Sequence, residues 1–250
     1  VLGNPALHDV GNVVIAPLVG FSTITLGIIA GWWARRAAGV ADPKIGRTFA
    51  FSLGIYNWGY IPLPLAMALF DGGTVGVLIV HNLGTEIAFW SIGTVLLGGL
   101  AAGAVGKKLL NPPLLAIVGA LTLNALGGRE VLPEFLLDTA KLLGDCAIPM
   151  GLVLIGATIA DHLHEFHSAA GWRMMGTACV LRLGVLPMLF LLLAKHLPCS
   201  IELKRVIVLQ AAMPAAVFNI IMAKHYGGDT PTALRVVMTV VATAGCFVIS

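Results

Sequence analysis

Charge is what this 250-residue chain has least of. Asp, Glu, Lys and Arg make up 11% of it, against roughly 25% in a soluble domain. Hydrophobic residues make up 58%, and the mean hydropathy is +0.94. A water-soluble fold must leave much of its surface in water. The shortage of charge therefore excludes a soluble globular domain and leaves lipid as the solvent. The net charge of +3 is too small to point to nucleic acid. Cysteine is scarce too, limited to Cys146, Cys179, Cys199 and Cys246, with no Cys-x-x-Cys spacing. Most of these lie in apolar runs, which points to small buried side chains rather than a disulfide framework or a metal site. The sequence has no HExxH and no Gly-x-Ser-x-Gly. No cofactor or metal is expected.

What is present is long apolar runs. A spanning helix needs about 20 mostly apolar residues. Eight stretches qualify or come close: 10–33, 47–70, 75–100, 112–127, 132–160, 172–194, 204–224 and 232–250. The fourth is short, so its ends reach into the interface. The connecting loops are too short for a soluble domain. Backbone groups in lipid must be satisfied internally, which leaves helices or a closed barrel. Uninterrupted apolar runs exclude the barrel, whose strands alternate. The expected fold is an all-α integral membrane protein with eight transmembrane helices in this chain. No signal-peptide pattern precedes the first span. The chain opens on Val1 and closes inside an apolar run at Val248-Ile249-Ser250, so it is expected to be a piece of a longer protein.

The first span ends Trp32-Trp33-Ala34-Arg35-Arg36, rings at the interface followed by cations beyond it. On the same side lie Lys44, Arg47, Lys107, Lys108, Arg173, Lys224 and Arg235, and on the other Arg129, Lys141, Lys195, Lys204 and Arg205. The excess predicts a cytoplasmic first side and an outside C-terminus.

Two spans carry backbone breaks. One reads Asn57-Trp58-Gly59-Tyr60-Ile61-Pro62-Leu63-Pro64, the other Gln210-Ala211-Ala212-Met213-Pro214-Ala215-Ala216-Val217-Phe218-Asn219. Proline removes an N–H donor and clashes with the preceding turn. The freed backbone groups need partners in protein, water or solute. Each break sits beside side-chain amides and is followed by a Gly-Gly pair, Gly72-Gly73 and Gly227-Gly228. Matching Pro-interrupted segments in two halves point to a transporter binding site. The plainer reading is a pair of proline kinks that only shape packing.

Six stretches, taken in order, carry a resemblance. They are Asn57 to Leu65; Asn82-Leu83-Gly84-Thr85-Glu86 with Trp90-Ser91-Ile92-Gly93; Asn111-Pro112-Pro113-Leu114; Leu143-Gly144-Asp145-Cys146-Ala147-Ile148-Pro149 through Gly156; Leu181-Arg182-Leu183 with Pro187; and Ala211 to Asn219 followed by Tyr226-Gly227-Gly228-Asp229. They resemble the fourth to ninth helices of the auxin efflux carrier family, which includes the plant PIN-FORMED carriers and many bacterial members. The resemblance implies ten helices in two inverted five-helix repeats. The eight spans are then family helices three to ten, with 1–105 the end of the first repeat and 109–250 the second, in one transporter domain. It also implies that helices four and nine break and cross near the midplane, where they hold the solute. Family members move organic anions, auxin in plants and dicarboxylates in some bacteria. The resemblance implies a secondary transporter, working as an elevator in a bacterial inner membrane, with a homodimer plausible from the family alone.

The residues proposed for the solute site are Asn57, Pro64, Gln210, Pro214 and Asn219. The amides offer donors and acceptors to a carboxylate without the cost of a buried charge. Half-helix N-termini after the breaks add free N–H groups and a positive dipole end. Their plainer role is hydrogen bonding between helices. Glu86, Asp145 and Arg182 are charges at depth, candidates for charge or proton coupling. For Arg182 the readings are attraction of an anion or an ion pair with Asp145 or Glu86. His81, near a helix start, reads as interfacial. The tract Asp161-His162-Leu163-His164-Glu165-Phe166-His167 has a metal-like composition, but a solvated loop is the better reading. Gly93, Gly98, Gly99 and Gly103 suggest close helix packing.

Other functional classes fit less well. Leu142-Leu143-Gly144-Asp145 lacks the first glycine of the Gly-x-Gly-Asp motif of membrane aspartic proteases, and no second aspartate lies at depth. Gly106-Lys107-Lys108 lacks the remainder of a phosphate loop. A channel also uses broken helices, but two different breaks in one chain favour a single internal site. A sodium-coupled carrier of the bile acid symporter type needs clustered oxygen ligands, and the breaks offer few.

Overall fold

The computed structural model describes residues 5–7, 10–98, 112–127, 132–162 and 171–249. Lys107, Lys108, Asn111, Arg129, Gly99, Gly103 and the tract from His164 to His167 lie outside these residues. The helices are α1 (Val10–Ala34), α2 (Pro43–Gly54), α3 (Pro62–Leu69), α4 (Gly72–Ala88), α5 (Thr94–Gly98), α6 (Pro112–Ala125), α7 (Glu134–His162), α8 (Trp172–Cys179), α9 (Leu186–His196), α10 (Ile201–Ala211), α11 (Phe218–His225) and α12 (Thr230–Ile249). Among the described residues the fold is helical. Its one extended pairing is an isolated antiparallel bridge between Tyr56 and Ala215.

Each expected span holds a helix, a π-interrupted helix or a pair of half-helices. The starts differ from the apolar onset because capping, not hydropathy, opens a helix. Asp42 Oδ1 accepts from the backbone N–H of Lys44 at 2.8 Å and of Ile45 at 2.9 Å, so α2 begins ahead of residue 47. Ser200 Oγ accepts from Leu203 N–H at 3.2 Å and opens α10. Asp71 Oδ1 accepts from Thr74 N–H at 2.8 Å and opens α4. Each cap satisfies a donor that has no partner inside the helix. Gly72 and Gly73 therefore lie in the first turn of α4. Gly227 does form a turn, with φ of +72°, a conformation that glycine enters without steric cost.

Glycine sets how closely the helices approach, and among the described residues close helix contacts fall at Gly20, Gly27, Gly54 and Gly84. A Cβ at Gly84 on α4 would lie 1.7 Å from the Pro17 carbonyl oxygen on α1, and one at Gly20 on α1 2.1 Å from that of His81. Gly27 of α1 meets Gly54 of α2 in the same way, at 2.8 Å. Gly93 does pack, against the Phe51 ring at 3.1 Å, whereas Gly98 faces open space.

Two apolar cores result. One joins α1, α2, α4 and α10 through Ile24, Phe51, Leu78 and Val206. The other joins α2, α8, α11 and α12 through Phe49, Ala178, Ile220 and Val237. The outer surface is apolar as well, with Leu18, Ile29, Val153, Met188 and Leu192 exposed. Among the described residues, four stretches are long and apolar enough to cross a membrane: Gly11–Ala34, Gly72–Gly98, Glu134–Thr158 and Trp172–His196. Leu114–Ala125 and Thr230–Cys246 are shorter apolar helices. Where α1 ends, the Arg35 guanidinium stacks over the Trp32 ring at 3.9 Å.

Candidate functional site

The two breaks meet. α2 stops at Gly54 and α10 at Ala211, and the unwound segments that follow run antiparallel to each other. Asn57 N–H donates to the Pro214 carbonyl at 2.9 Å, and Ala216 N–H donates to the Ile55 carbonyl at 3.1 Å. Backbone groups that the prolines release from helical bonding thus find partners across the crossing, as a low-dielectric interior requires.

Side chains close off the half-helices that enter the crossing. Asn219, fully buried on α11, donates from Nδ2 to the carbonyls of Ile55 at 2.9 Å and Ser52 at 3.3 Å, capping the end of α2. Arg182, fully buried in the π turn Val180–Val185 between α8 and α9, does the same for α10. Its Nε and Nη2 donate to the Met213 carbonyl at 3.0 and 2.7 Å, and Nη2 reaches the Gln210 carbonyl at 3.4 Å. A cation at a helix C-terminus also opposes the negative end of the dipole. The guanidinium lies 4.8 Å from the centre of the Tyr56 ring, whose hydroxyl pairs with Thr23 Oγ1 at 2.8 Å. The ion pair considered for Arg182 does not form. Its partners are carbonyls, Glu86 bonds Trp90 instead, and Asp145 is exposed on α7. Gln210 Nε2 donates to the Trp58 carbonyl and to Asn82 Oδ1, both at 3.3 Å, and Asn82 Nδ2 donates to the same Trp58 carbonyl at 2.9 Å. His81 is fully buried rather than interfacial, and its Nδ1 lies 3.4 Å from Asn82 Oδ1.

Beside the crossing is a cavity of about 380 Å³, the size of a small-molecule pocket. Asn57 to Tyr60 and Leu63 line it from the first break, and Ala216 to Phe218 with Ile221 from the second. It thus lies where α3 and α11 begin, at their positive dipole ends. Glu86 on α4, with Phe89 and Trp90 of the π turn Phe89–Gly93, forms a further wall. Ala147, Leu154 and Thr158 of α7 form the opposite one. Glu86 Oε2 accepts from Trp90 Nε1 at 2.7 Å. Phe89 holds the aromatic wall together, with ring centres 5.1 Å from Trp58, 5.0 Å from Trp90 and 6.0 Å from Phe218. π turns recur at functional sites because they widen a helix locally. Here one lies beside Glu86 and the other contains Arg182.

Of the residues singled out in the sequence, Asn57 and Glu86 face the cavity. Pro214, Gln210, Asn219 and Arg182 build the frame behind it, and Pro64 lies in the first turn of α3. The aromatic wall was missed. Its signal was the concentration of Trp58, Tyr60, Phe89, Trp90 and Phe218 around the breaks, in a chain only 7% aromatic.

A family model described as "Membrane transport protein" matches residues 100–249. The matched stretch contains Arg182 and the second break, and it begins after the first break and Glu86. No curated protein and no solved structure matches the chain.

Proposed function

The chain belongs to the membrane transport protein family of the auxin efflux carriers, and on that premise we propose that it is a secondary transporter of a small organic anion. It is an integral membrane protein, in keeping with its apolar helices. The observation that carries the proposal is the position of the cavity at the N-terminal ends of two half-helices, α3 and α11. The helix dipoles favour negative charge at these ends; Pro62 and Pro64 have no N–H, and the N–H groups of Leu63, Asn219 and Ile220 already bond to the carbonyls of Gly59, Ala216 and Val217. Asn57 meets the solute carboxylate. Gln210, Pro214, Asn219 and Pro64 hold the crossing in the shape that presents it.

The proposed motion is alternating access of elevator type. Support comes from packing: α1, α2, α4 and α8 to α12 share the two cores, and both breaks lie within that body. The cavity lies between this body and α7, which meets the break where Gly151 touches the Tyr60 ring. Sliding of the body past α7 exposes the cavity to each side in turn. In this reading all eight apolar stretches cross the membrane, 1–105 ends the first repeat and 109–250 forms the second. The protein belongs to a bacterial inner membrane, as a homodimer with the basic ends of α1 and α8 on the cytoplasmic side.

Uptake by purified protein in proteoliposomes, with a panel of labelled mono- and dicarboxylates, tests this. Saturable uptake of at least one carboxylate is expected. Well-inserted protein that moves none of them contradicts the proposal.

A further inference from the structure

The structure places Arg182, Asp145 and Glu86, the charges singled out in the sequence, differently. Arg182 is bound to the carbonyls of Met213 and Gln210 and does not line the cavity. Asp145 is exposed on α7 and does not line it either. Glu86 does, and no Lys, Arg or His lines the cavity with it. Its one hydrogen-bond partner at close range is the neutral Trp90 indole at 2.7 Å, with the Trp58 indole beside the same carboxyl. Among the described residues, the cavity lining thus has a single carboxyl group and no cation to neutralise it.

Among the described residues, no charged group on the elements around the cavity lines it besides Glu86. α1 carries no ionisable side chain from Val10 to Ala34, nor do α3 and α6. On α10, Glu202 and Arg205 sit near Asp71, at the far end of α4. On α4 itself, His81 is bonded to Asn82 and lies outside the cavity wall. On α11, Lys224 and His225 lie in the last turn, away from the end that lines the cavity. On α7, Asp138, Lys141, Asp145 and Asp161 are exposed. The other titratable group in the lining is the Tyr60 hydroxyl.

A carboxylate solute entering this cavity beside an ionised Glu86 brings two negative charges within roughly 6 Å. At an effective dielectric of about 20, that repulsion weakens binding about a hundredfold. A protonated Glu86 removes it, and its O–H can donate to the solute. Resting on the anion reading above, we infer that Glu86 carries the coupling proton. The carboxylate of Glu86 takes up a proton on the loading side. The neutral acid binds the solute anion and crosses with it. After the anion leaves, the proton is released on the other side. One proton accompanies each anion, no bond in the solute changes and nothing is oxidised or reduced.

The test uses the purified protein in proteoliposomes that enclose a pH-sensitive dye. The solute is a labelled carboxylate that the wild type takes up. Wild-type uptake acidifies the lumen, and its initial rate falls about tenfold per pH unit above the Glu86 titration. In Glu86→Gln, the anion uptake or counterflow that remains carries no dye signal and no pH dependence. Asp145→Asn keeps both. Wild-type uptake with no proton movement overturns the coupling and leaves the carrier reading standing. So does an unchanged dye signal in Glu86→Gln, or a loss confined to Asp145→Asn. Absence of any carboxylate uptake removes the anion reading, and the coupling falls with it.

Discussion

The backbone N–H of Asn57 donates to the carbonyl of Pro214 at 2.9 Å, joining two unwound segments from opposite ends of the chain. Proline has no N–H to give, but its carbonyl remains an acceptor, and the crossing uses it. The proline of the second break thus supplies the carbonyl that joins it to the first.

Asn219 is part of this frame. Asn219→Ala takes the side-chain donor from the Ser52 carbonyl, while the Ile55 carbonyl keeps the Ala216 N–H. A buried group left unpaired costs about 1–3 kcal/mol. Thermal stability in detergent and membrane abundance are expected to fall together with transport. A variant of wild-type stability that has lost transport would move Asn219 from the frame to the solute site.

Arg182 is held by geometry as well as charge. Arg182→Ala uncovers the Met213 carbonyl, while that of Gln210 keeps the Met213 N–H, and a loss of about 2 kcal/mol is expected. Arg182→Lys should restore only part of it, because one ammonium cannot reproduce the guanidinium fork. Chemical denaturation or thermal melting of the three proteins measures this. An Arg182→Ala protein that inserts, folds and transports normally rules out both a framing and a solute-attracting role.

Gly84→Ala is expected to be among the most damaging single-methyl changes. The new Cβ would lie 1.7 Å from the Pro17 carbonyl oxygen, so α1 and α4 must separate. Overpacking of this kind costs about 1–3 kcal/mol. Gly98→Ala, which meets nothing within 4 Å, should be neutral. Expression level and melting temperature compare the two.

At the outer end of α4, the Thr74 N–H, the Thr74 hydroxyl and Arg205 hold the Asp71 carboxyl below the usual carboxylate range. A lowered folded-state value means stabilisation that is full above about pH 4 and lost as the pH falls through the folded value. The melting temperature of the wild type should therefore exceed that of Asp71→Asn near neutrality. The two should converge in acid, and the gap should narrow in high salt, because the Asp71–Arg205 pair is exposed. A gap that persists at pH 2 would contradict this.

Much of this was legible in the sequence because it depends on local chemistry. Pro62, Pro64 and Pro214 mark the breaks wherever the helices lie. The apolar runs locate the described α-helices, and Asp42, Asp71 and Ser200 explain where the runs mislead about the starts. What was not legible depends on which segments meet. Nothing local to Arg182 says that its partners are two carbonyls rather than Glu86 or Asp145. Gln210 and Asn219 look like solute ligands until the crossing places backbone acceptors beside them. The Gly20–Gly84 seam is read only once α1 lies against α4. The π turns at Phe89–Gly93 and Val180–Val185 leave no mark, because one extra residue per turn barely changes an apolar pattern.

The central claim is that the cavity beside the crossing is the solute site, and Asn57 tests it most directly. It lines the cavity, and its Oδ1 accepts a long hydrogen bond from Ile61 N–H at 3.4 Å. The measurement is the initial rate of carboxylate uptake by Asn57→Ala in proteoliposomes, at matched protein and with its melting temperature determined alongside. The account predicts a loss of about tenfold or more, from one missing charge-assisted hydrogen bond of about 1.5–3 kcal/mol, with the melting temperature near that of the wild type. Uptake at the wild-type rate, or a loss that only follows a collapse in stability, would contradict it.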